Sequence, residues 1–208
     1  MRRPVFIARQ GRHPHGWLGK IIGHIMAKET AVDNELAIAL LQIKSCDHVI
    51  DIGTGHGRSL GVMAAHADQG LVVGVDASDV MLKIAVRRNK AFIDGGRIRL
   101  ENASSDSLPF AERSFDKAMA MHTLYFWDPA EPHLREIARI LKPGGHFVLG
   151  FRPAEDATVT AKFPDSVYTF RTTAQVEALL NATGFSIIDS KRRDAAGDTM
   201  VWLLARKI

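Results

Sequence analysis

The sequence predicts an α/β protein in which a mostly parallel sheet is covered by helices on both faces. Short apolar segments alternate with segments of helical periodicity along most of the chain, and these apolar segments lack the polar–apolar alternation of a half-exposed strand. Near the C-terminus two β-type segments follow each other directly, which is typical of an antiparallel hairpin. The 208 residues suffice for one well-buried domain and are few for two.

The predicted elements follow one another in a regular order. Two helices, over 16–29 and 32–43, precede the first strand, and Asp33 or Asn34 is expected to cap the second of them. Five strands are then predicted, at 48–53, 71–76, 98–103, 117–122 and 146–151. Helices are expected between them, at 58–67, 79–92 and 129–141. The last segments are a helix over 173–182 and two strands, 186–193 and 199–207, joined by the turn AAGD.

The composition narrows the class of protein. The single cysteine, Cys46, excludes an internal disulfide and argues against a thiolate metal cluster. No apolar run approaches the ~20 residues that a membrane-spanning helix needs. The N-terminus also lacks the apolar core of a secretory signal, so a cytoplasmic protein without a membrane span is expected.

The net charge of +4 is concentrated at the N-terminus. Residues 1–30 carry six basic side chains and one acidic side chain, so the rest of the chain is close to neutral. This distribution indicates a basic arm, which is either a solvated tail or a contact for an anionic substrate, a membrane surface or RNA.

The stretch VIDIGTGHGRS places three glycines directly after the first predicted strand. Such a loop opens a helix where α/β sheets bind nucleotides. A dinucleotide site expects G-x-G-x-x-G, but Arg58 stands where the third glycine of that fingerprint belongs. Asp76, at the end of the second strand, suits a ribose diol and would repel a 2′-phosphate. Asp76 alone is compatible with both NAD and S-adenosylmethionine.

Asp51 favours S-adenosylmethionine over NAD. It lies two residues before the first glycine, where a carboxylate would repel a pyrophosphate and attract a cationic amino group or sulfonium. The alternative is that Asp51 only holds the loop amides.

Several segments together resemble class I S-adenosylmethionine-dependent methyltransferases. DIGTGHG is similar to the D/E-x-G-x-G-x-G motif of that family, and VVGVDAS to its second-strand acid motif. SLPFAERSFD and LREIARILKPGGHFVLG are similar to the segments before its fourth and fifth strands. The YFWDP segment points to the small-molecule branch, similar to ubiquinone and menaquinone methyltransferases. The resemblance implies a Rossmann-like seven-stranded sheet, mostly parallel with an antiparallel C-terminal hairpin strand.

The resemblance also implies roles for particular residues in binding S-adenosylmethionine and its product S-adenosylhomocysteine. Ser104 stands where the family often has an acid that contacts the adenine amino group. The backbone carbonyl of His122 corresponds to a contact for the amino group of the cofactor. The full set of expected cofactor-binding residues is Asp51, Gly53, Thr54, Gly55, Asp76, Ala77, Met81, Ser104, Ser105 and His122.

The candidate catalytic residues follow the fourth strand. Methyl transfer from a sulfonium depends mainly on positioning, and a general base is needed only if the acceptor must lose a proton. His122 is the best placed base, because an imidazole titrates near neutral pH. Tyr125 is the second candidate, because its ring could cover the sulfonium by a cation–π contact. The alternatives are that the His122 ring only packs and that Tyr125 only fills the core. His13 and His15 form a poor ligand set, so no metal is expected.

The sequence thus predicts an N-terminal helical arm or lid over 1–45 and a methyltransferase domain over 46–208. The expected partner is a small-molecule methyl acceptor; nucleic acid is disfavoured because the N/D-P-P-Y/F motif is missing. The alternatives are an RNA or protein methyltransferase that uses the basic arm, a non-catalytic S-adenosylmethionine-binding regulatory module and, last, an NAD dehydrogenase. The oligomeric state is not predicted.

Overall fold

A computed structural model describes residues 3–14, 16, 30–194 and 198–208 and confirms the predicted α/β architecture. Within these residues one sheet contains seven strands: β1 (His48–Ile52), β2 (Leu71–Asp76), β3 (Ile98–Asn102), β4 (Phe115–Met121), β5 (Leu141–Phe151), β6 (Phe185–Arg193) and β7 (Met200–Lys207). The strand order is β3-β2-β1-β4-β5-β7-β6. Strands β1 to β5 pair in parallel, and β7 is antiparallel to both of its neighbours.

Helices cover both faces of this sheet, as the uniformly apolar strands predict. In the described residues they are α1 (Val5–Arg12), α2 (Ala31–Leu41), α3 (Arg58–His66), α4 (Asp79–Arg88), α5 (Lys90–Asp94), α6 (Glu131–Ile140), α7 (Ala157–Thr160) and α8 (Thr173–Ala182). None of these is long and apolar enough to cross a membrane.

The core has two parts, one on each face of the sheet. Successive residues of β1 point to opposite faces, so Val49 joins one cluster and Ile50 the other. Helices α2 and α3 complete the first cluster, with Leu41 and Leu60 fully buried. Helices α6 and α8 complete the second. Both faces of β1 are therefore sealed, and its carboxyl end is directed toward the connecting loops.

Several predicted boundaries differ from the structure. The predicted 16–29 helix lies, apart from residue 16, outside the described residues, as does most of the AAGD turn. Helices α1 and α7 were not predicted. The helix expected over 79–92 breaks at Asn89, whose side-chain amide donates to the carbonyl oxygens of Gly57 and Ala85. Strand β5 starts earlier than expected because Leu141 already pairs with Phe115, before a shift of register.

The prediction that Asp33 or Asn34 caps the second helix was wrong. The helix begins at Ala31, and its N-cap residue is Thr30. Asp33 lies inside the first turn and is 2% exposed. An acidic residue in the first turn of a helix interacts favourably with the helix dipole, and for this reason the sequence predicted a helix start at Asp33. The direction of the Asp33 side chain is decided by tertiary contacts.

Candidate active site

A cavity of about 570 Å³ lies at the carboxyl ends of β1, β2 and β4. Its wall is built from the loops that follow these strands, from the loop after β3 and from residues 11–14 of the arm. Strands β2 and β4 lie on opposite sides of β1, and ligands bind at such a switch point in open parallel sheets.

The glycine loop after β1 folds back across the end of β2. The amides of Gly53 and Thr54 both donate to the carbonyl oxygen of Val75, at 2.8 and 2.9 Å. Gly53 (φ 74°) and Gly55 (φ 55°) have left-handed backbone. A Cβ atom at Gly53 would collide with the methyl group of Thr123, whereas one at Gly55 would extend into open space. The loop therefore presents bare backbone to the cavity, where a ligand can approach closely.

Asp51 is buried at the end of β1, with 3% exposure. Burial raises the pKa of its carboxyl to about 7, against the opposing hydrogen bond that Oδ2 accepts from Thr54 Oγ1 at 2.8 Å. The nearby carboxylate of Asp76 adds to the increase in pKa. The carboxylate of Asp51 is therefore poorly compensated within the protein, and a cation in the cavity would stabilise it.

Asp76 holds the backbone that leads into α4 and still has hydrogen-bond acceptor positions available for a ligand. Its Oδ2 accepts a hydrogen bond from the Gly55 amide and its Oδ1 accepts one from the Ser78 amide, both at 2.8 Å. Burial raises the pKa of Asp76, while these two bonds and the positive charge of His13 oppose the increase. A carboxylate has about four acceptor positions, so two remain for the hydroxyl groups of a diol.

The remaining predicted cofactor residues also line the cavity. Ala77 and Met81 follow β2, and Ser104 and Ser105 follow β3. Ser105 Oγ lies 2.7 Å from Nδ1 of His133, a residue that the sequence did not single out. The His133 ring stacks on Trp127, with centroids 5.1 Å apart, and both residues belong to the cavity wall.

The two candidate catalytic residues occupy different positions. His122 lines the cavity, and its backbone has the left-handed φ of 57°, which is uncommon outside glycine. Tyr125 is 5% exposed and lies behind His122, outside the set of lining residues. Its hydroxyl is 3.4 Å from His122 Nδ1 and accepts a hydrogen bond from the Arg152 amide at 2.5 Å. Tyr125 therefore contacts His122 and does not line the cavity.

A third side chain, missed in the sequence, contacts the same histidine. Oδ2 of Asp33 lies 3.2 Å from His122 Nε2. Oδ1 of Asp33 accepts a hydrogen bond from Arg193 at 2.6 Å. No local motif indicates this cluster, because 89 residues separate Asp33 from His122 and 160 separate it from Arg193.

The N-terminal arm contributes to the cavity wall. Gly11, Arg12, His13 and Pro14 are among the lining residues. Ser78 Oγ donates a hydrogen bond of 2.5 Å to the carbonyl oxygen of Pro14, which ties the arm to the loop after β2. Within the described part of the chain, no group of three or more His, Cys, Asp and Glu side chains is arranged to hold a metal ion.

Comparisons with known proteins agree with this geometry. Residues 50–149 match the family described as "Methyltransferase domain". Methyltransferase YdaC of Bacillus subtilis (strain 168) is 29% identical over 188 residues, covering 90% of this chain and 98% of the relative. O-methyltransferase rstn1 of Aspergillus nomiae is 30% identical over 156 residues, covering 72% of this chain and 69% of the relative.

Solved structures show the same fold. The crystal structure of a SAM-dependent methyltransferase from Aquifex aeolicus superposes with a TM-score of 0.69 at 17% identity, covering 85% of this chain and 90% of the other.

The cavity wall fits S-adenosylmethionine in three respects. The space beside Gly55 admits a ligand against the backbone, and Asp76 has acceptor positions for the ribose. Asp51 provides a carboxylate that accepts a hydrogen bond from the neutral hydroxyl of Thr54 and suits the cationic part of the ligand. Together with the family match, these features establish that the chain belongs to the S-adenosylmethionine-dependent methyltransferases and that S-adenosylmethionine is its cofactor.

Proposed function

We propose that this methyltransferase transfers a methyl group to a hydroxyl group of a small molecule. The observation that carries the proposal is that His122, whose imidazole is a possible base for a hydroxyl proton, lines the same cavity as Asp51 and Asp76. The cavity volume of about 570 Å³ is in the range of small-molecule sites. The name of the relative rstn1, an O-methyltransferase, supports an oxygen acceptor.

Different residues of the cavity wall would bind different parts of the cofactor. Asp76 would accept hydrogen bonds from the ribose hydroxyls, Asp51 would hold the cationic methionine end, and the backbone of Gly53, Thr54 and Gly55 would contact the same part of the cofactor; all of these residues line the cavity. The adenine is held by a group of small or flexible side chains: Ala77, Met81, Ser104 and Ser105. When bound, S-adenosylmethionine supplies a methyl carbon on a sulfonium, whose sulfur leaves as the acceptor atom bonds to that carbon.

His122 acts as the general base of the reaction in this proposal. A hydroxyl oxygen attacks poorly while it keeps its proton, so a base within hydrogen-bond reach is required. The side chain of His122 is 13% exposed, so neighbouring residues hold most of it in place. The strained backbone of His122 is consistent with a site that holds this ring in one place.

The arm acts as a lid over this cavity. Two hydrogen bonds anchor the arm: Ser78 Oγ donates to the Pro14 carbonyl oxygen, and the Arg3 amide donates to the Lys162 carbonyl oxygen at 2.7 Å. Gly11 packs against the hydroxyl of Tyr168 between these anchors. A closed arm excludes water from the reacting groups.

Replacing Asp76 tests the ribose contact. Asp76→Ala is expected to weaken S-adenosylhomocysteine binding by about 2–3 kcal/mol, because a charged acceptor for two hydroxyls is lost. Isothermal titration measures the change. Asp94→Ala, which removes an exposed acid on α5, is the control and should bind normally. Normal affinity in Asp76→Ala would remove this residue from the site.

The raised pKa of Asp51 predicts pH-dependent cofactor binding. Its carboxyl is ionised above its pKa of about 7, so affinity for cationic S-adenosylmethionine should rise about tenfold from pH 6 to 8. A raised pKa also means that Asp51 stabilises the cofactor-free fold at low pH and that this contribution is lost as the pH rises through 7. Asp51→Asn should therefore bind S-adenosylmethionine weakly at pH 8, with little change between pH 6 and 8, and should melt at a higher temperature than wild type at pH 8. A wild-type pH profile in Asp51→Asn contradicts this assignment.

Replacing His122 tests the base. Asparagine tolerates left-handed backbone, so His122→Asn preserves the local conformation better than alanine would. Turnover should fall by about 10²–10⁴-fold, while S-adenosylhomocysteine affinity stays within about threefold. The assay follows S-adenosylhomocysteine release with an acceptor found by screening hydroxylated small molecules.

The control for this experiment is His66→Asn, a change of an exposed histidine on α3. It should leave turnover unchanged. Undiminished turnover in His122→Asn would show that its ring is not the base. Activity found only on RNA or protein, with strong dependence on salt, would replace the small-molecule proposal.

A paired substitution tests the lid. A Cβ atom at Gly11 would lie 2.5 Å from the Tyr168 hydroxyl oxygen and 3.8 Å from the next ring atom. Gly11→Ala should therefore displace the arm and lower both turnover and S-adenosylhomocysteine affinity by about tenfold, although alanine favours the helix. Adding Tyr168→Phe removes the clash and should restore both. If Gly11→Ala behaves like wild type, the arm does not close the cavity.

A further inference from the structure

Helix α1 of the arm is held against the domain by one of its faces. Ala8 is 1% exposed and belongs to the apolar core, and Gln10 is buried as well. Just before the helix, the Arg3 amide donates to the Lys162 carbonyl oxygen, and the Arg3 guanidinium lies 4.8 Å from the centroid of the Phe163 ring. These contacts fix the rotation of α1 about its axis, so the opposite face is held outward.

The outer face of α1 mixes apolar and basic side chains. It consists of Val5, Phe6, Arg9 and Arg12, all of which are exposed. At 3.6 residues per turn these four positions lie within about 120° of one another around the helix. Phe6 is 62% exposed and Val5 is 42% exposed, although the fold buries other apolar residues of similar size completely. The two apolar side chains therefore share one strip of surface with two guanidinium groups.

The charge of the surrounding sequence has a single sign. Residues 1–28 contain six basic side chains, and the first acidic residue of the chain is Glu29. The segment WLGKIIGHIMAK, at 17–28, has the same composition, with apolar residues and two lysines. Segments of this composition bind the interface of anionic membranes, because their basic groups attract lipid phosphates and their apolar groups leave water.

A lipid surface suits both kinds of side chain on the outer face. Phosphate groups of RNA would pair with Arg9 and Arg12 but would leave Val5 and Phe6 in water. At a bilayer surface the guanidinium groups stay at the level of the phosphates, while the apolar side chains reach a few ångström deeper, into the boundary with the acyl chains. The combination of charge and exposed apolar area thus favours lipid over nucleic acid.

We propose that the outer face of α1 docks on the surface of a bilayer that contains anionic lipids. Phe6 and Val5 enter the interface, and Arg9 and Arg12 contact lipid phosphates. The chain continues from α1 into residues 11–14, which line the cavity, so docking holds the cavity beside the lipid surface. The proposal does not depend on the role of His122 as the base.

Vesicle sedimentation with the full-length protein tests the docking. Wild type should bind phosphatidylcholine vesicles that contain about one quarter phosphatidylglycerol, and it should bind pure phosphatidylcholine weakly. Raising NaCl from about 0.1 M to about 0.5 M should weaken the binding. Arg9→Gln should lower the partition coefficient about fivefold, because one cation near the surface is lost. Phe6→Gln should lower it about tenfold, because its apolar area no longer leaves water.

The matched control is the double variant Val86→Gln/Arg87→Gln. It removes the same kinds of side chain, one exposed apolar and one exposed arginine, from the outer side of α4. Its binding to anionic vesicles should stay within about twofold of wild type, whereas Phe6→Gln/Arg9→Gln should lose about fiftyfold if the two losses add. Both double variants should keep wild-type affinity for S-adenosylhomocysteine, which shows that they are folded.

The substitution Phe6→Trp reports insertion directly. Relative to wild type, the indole that it introduces should add fluorescence that shifts to the blue with anionic vesicles and is quenched by brominated acyl chains. Failure of wild type to bind these vesicles overturns the proposal. Binding that Phe6→Gln/Arg9→Gln leaves unchanged, or that the α4 control lowers equally, overturns it as well. Binding without a shift or quenching in Phe6→Trp also contradicts docking through this face.

Discussion

Two carboxylates at the ends of adjacent parallel strands, Asp51 and Asp76, constrain the rest of the site. Parallel pairing of β1 with β2 brings their carboxyl ends to the same edge of the sheet, so the two acids must lie near each other. Their repulsion is one reason for the raised pKa of Asp51. The loop after β1 has to turn its amides back toward β2 to make this pair tolerable, and glycine backbone makes that turn possible. A cationic, hydroxyl-bearing ligand completes the arrangement.

The other half of the cavity depends on contacts between distant parts of the chain. His122 comes from the end of β4, Asp33 from α2 and Arg193 from the C-terminal hairpin. An ionised carboxylate that is buried is costly unless it is paired, so Asp33 depends on His122 and Arg193. The backbone bond from the His122 amide to the Gly150 carbonyl oxygen, 2.9 Å long, holds the ring at the cavity wall.

The two halves of the site differ in whether they lie within the segment that matches the methyltransferase family. The match to the methyltransferase domain covers residues 50–149, which include the glycine loop, Asp76 and His122. Asp33, Arg193 and the arm residues 11–14 lie outside that match. The proposed cofactor-binding residues thus lie in the segment that matches the family, whereas Asp33, Arg193 and the arm lie in the flanking segments.

The sequence by itself determined the order of strands and helices and the reversed last strand, and it predicted residues that line one cavity. These follow from apolar periodicity, glycine spacing and the acid after β2, which are local features. Asp33 shows what local sequence patterns cannot predict. The local pattern predicted that Asp33 caps a helix, and only the folded chain brings it to His122 and Arg193. The same holds for His133 beside Ser105 and for the arm beside Ser78. Hydrogen bonds between residues 28 to 160 positions apart leave no local pattern, so the tertiary structure alone decided them.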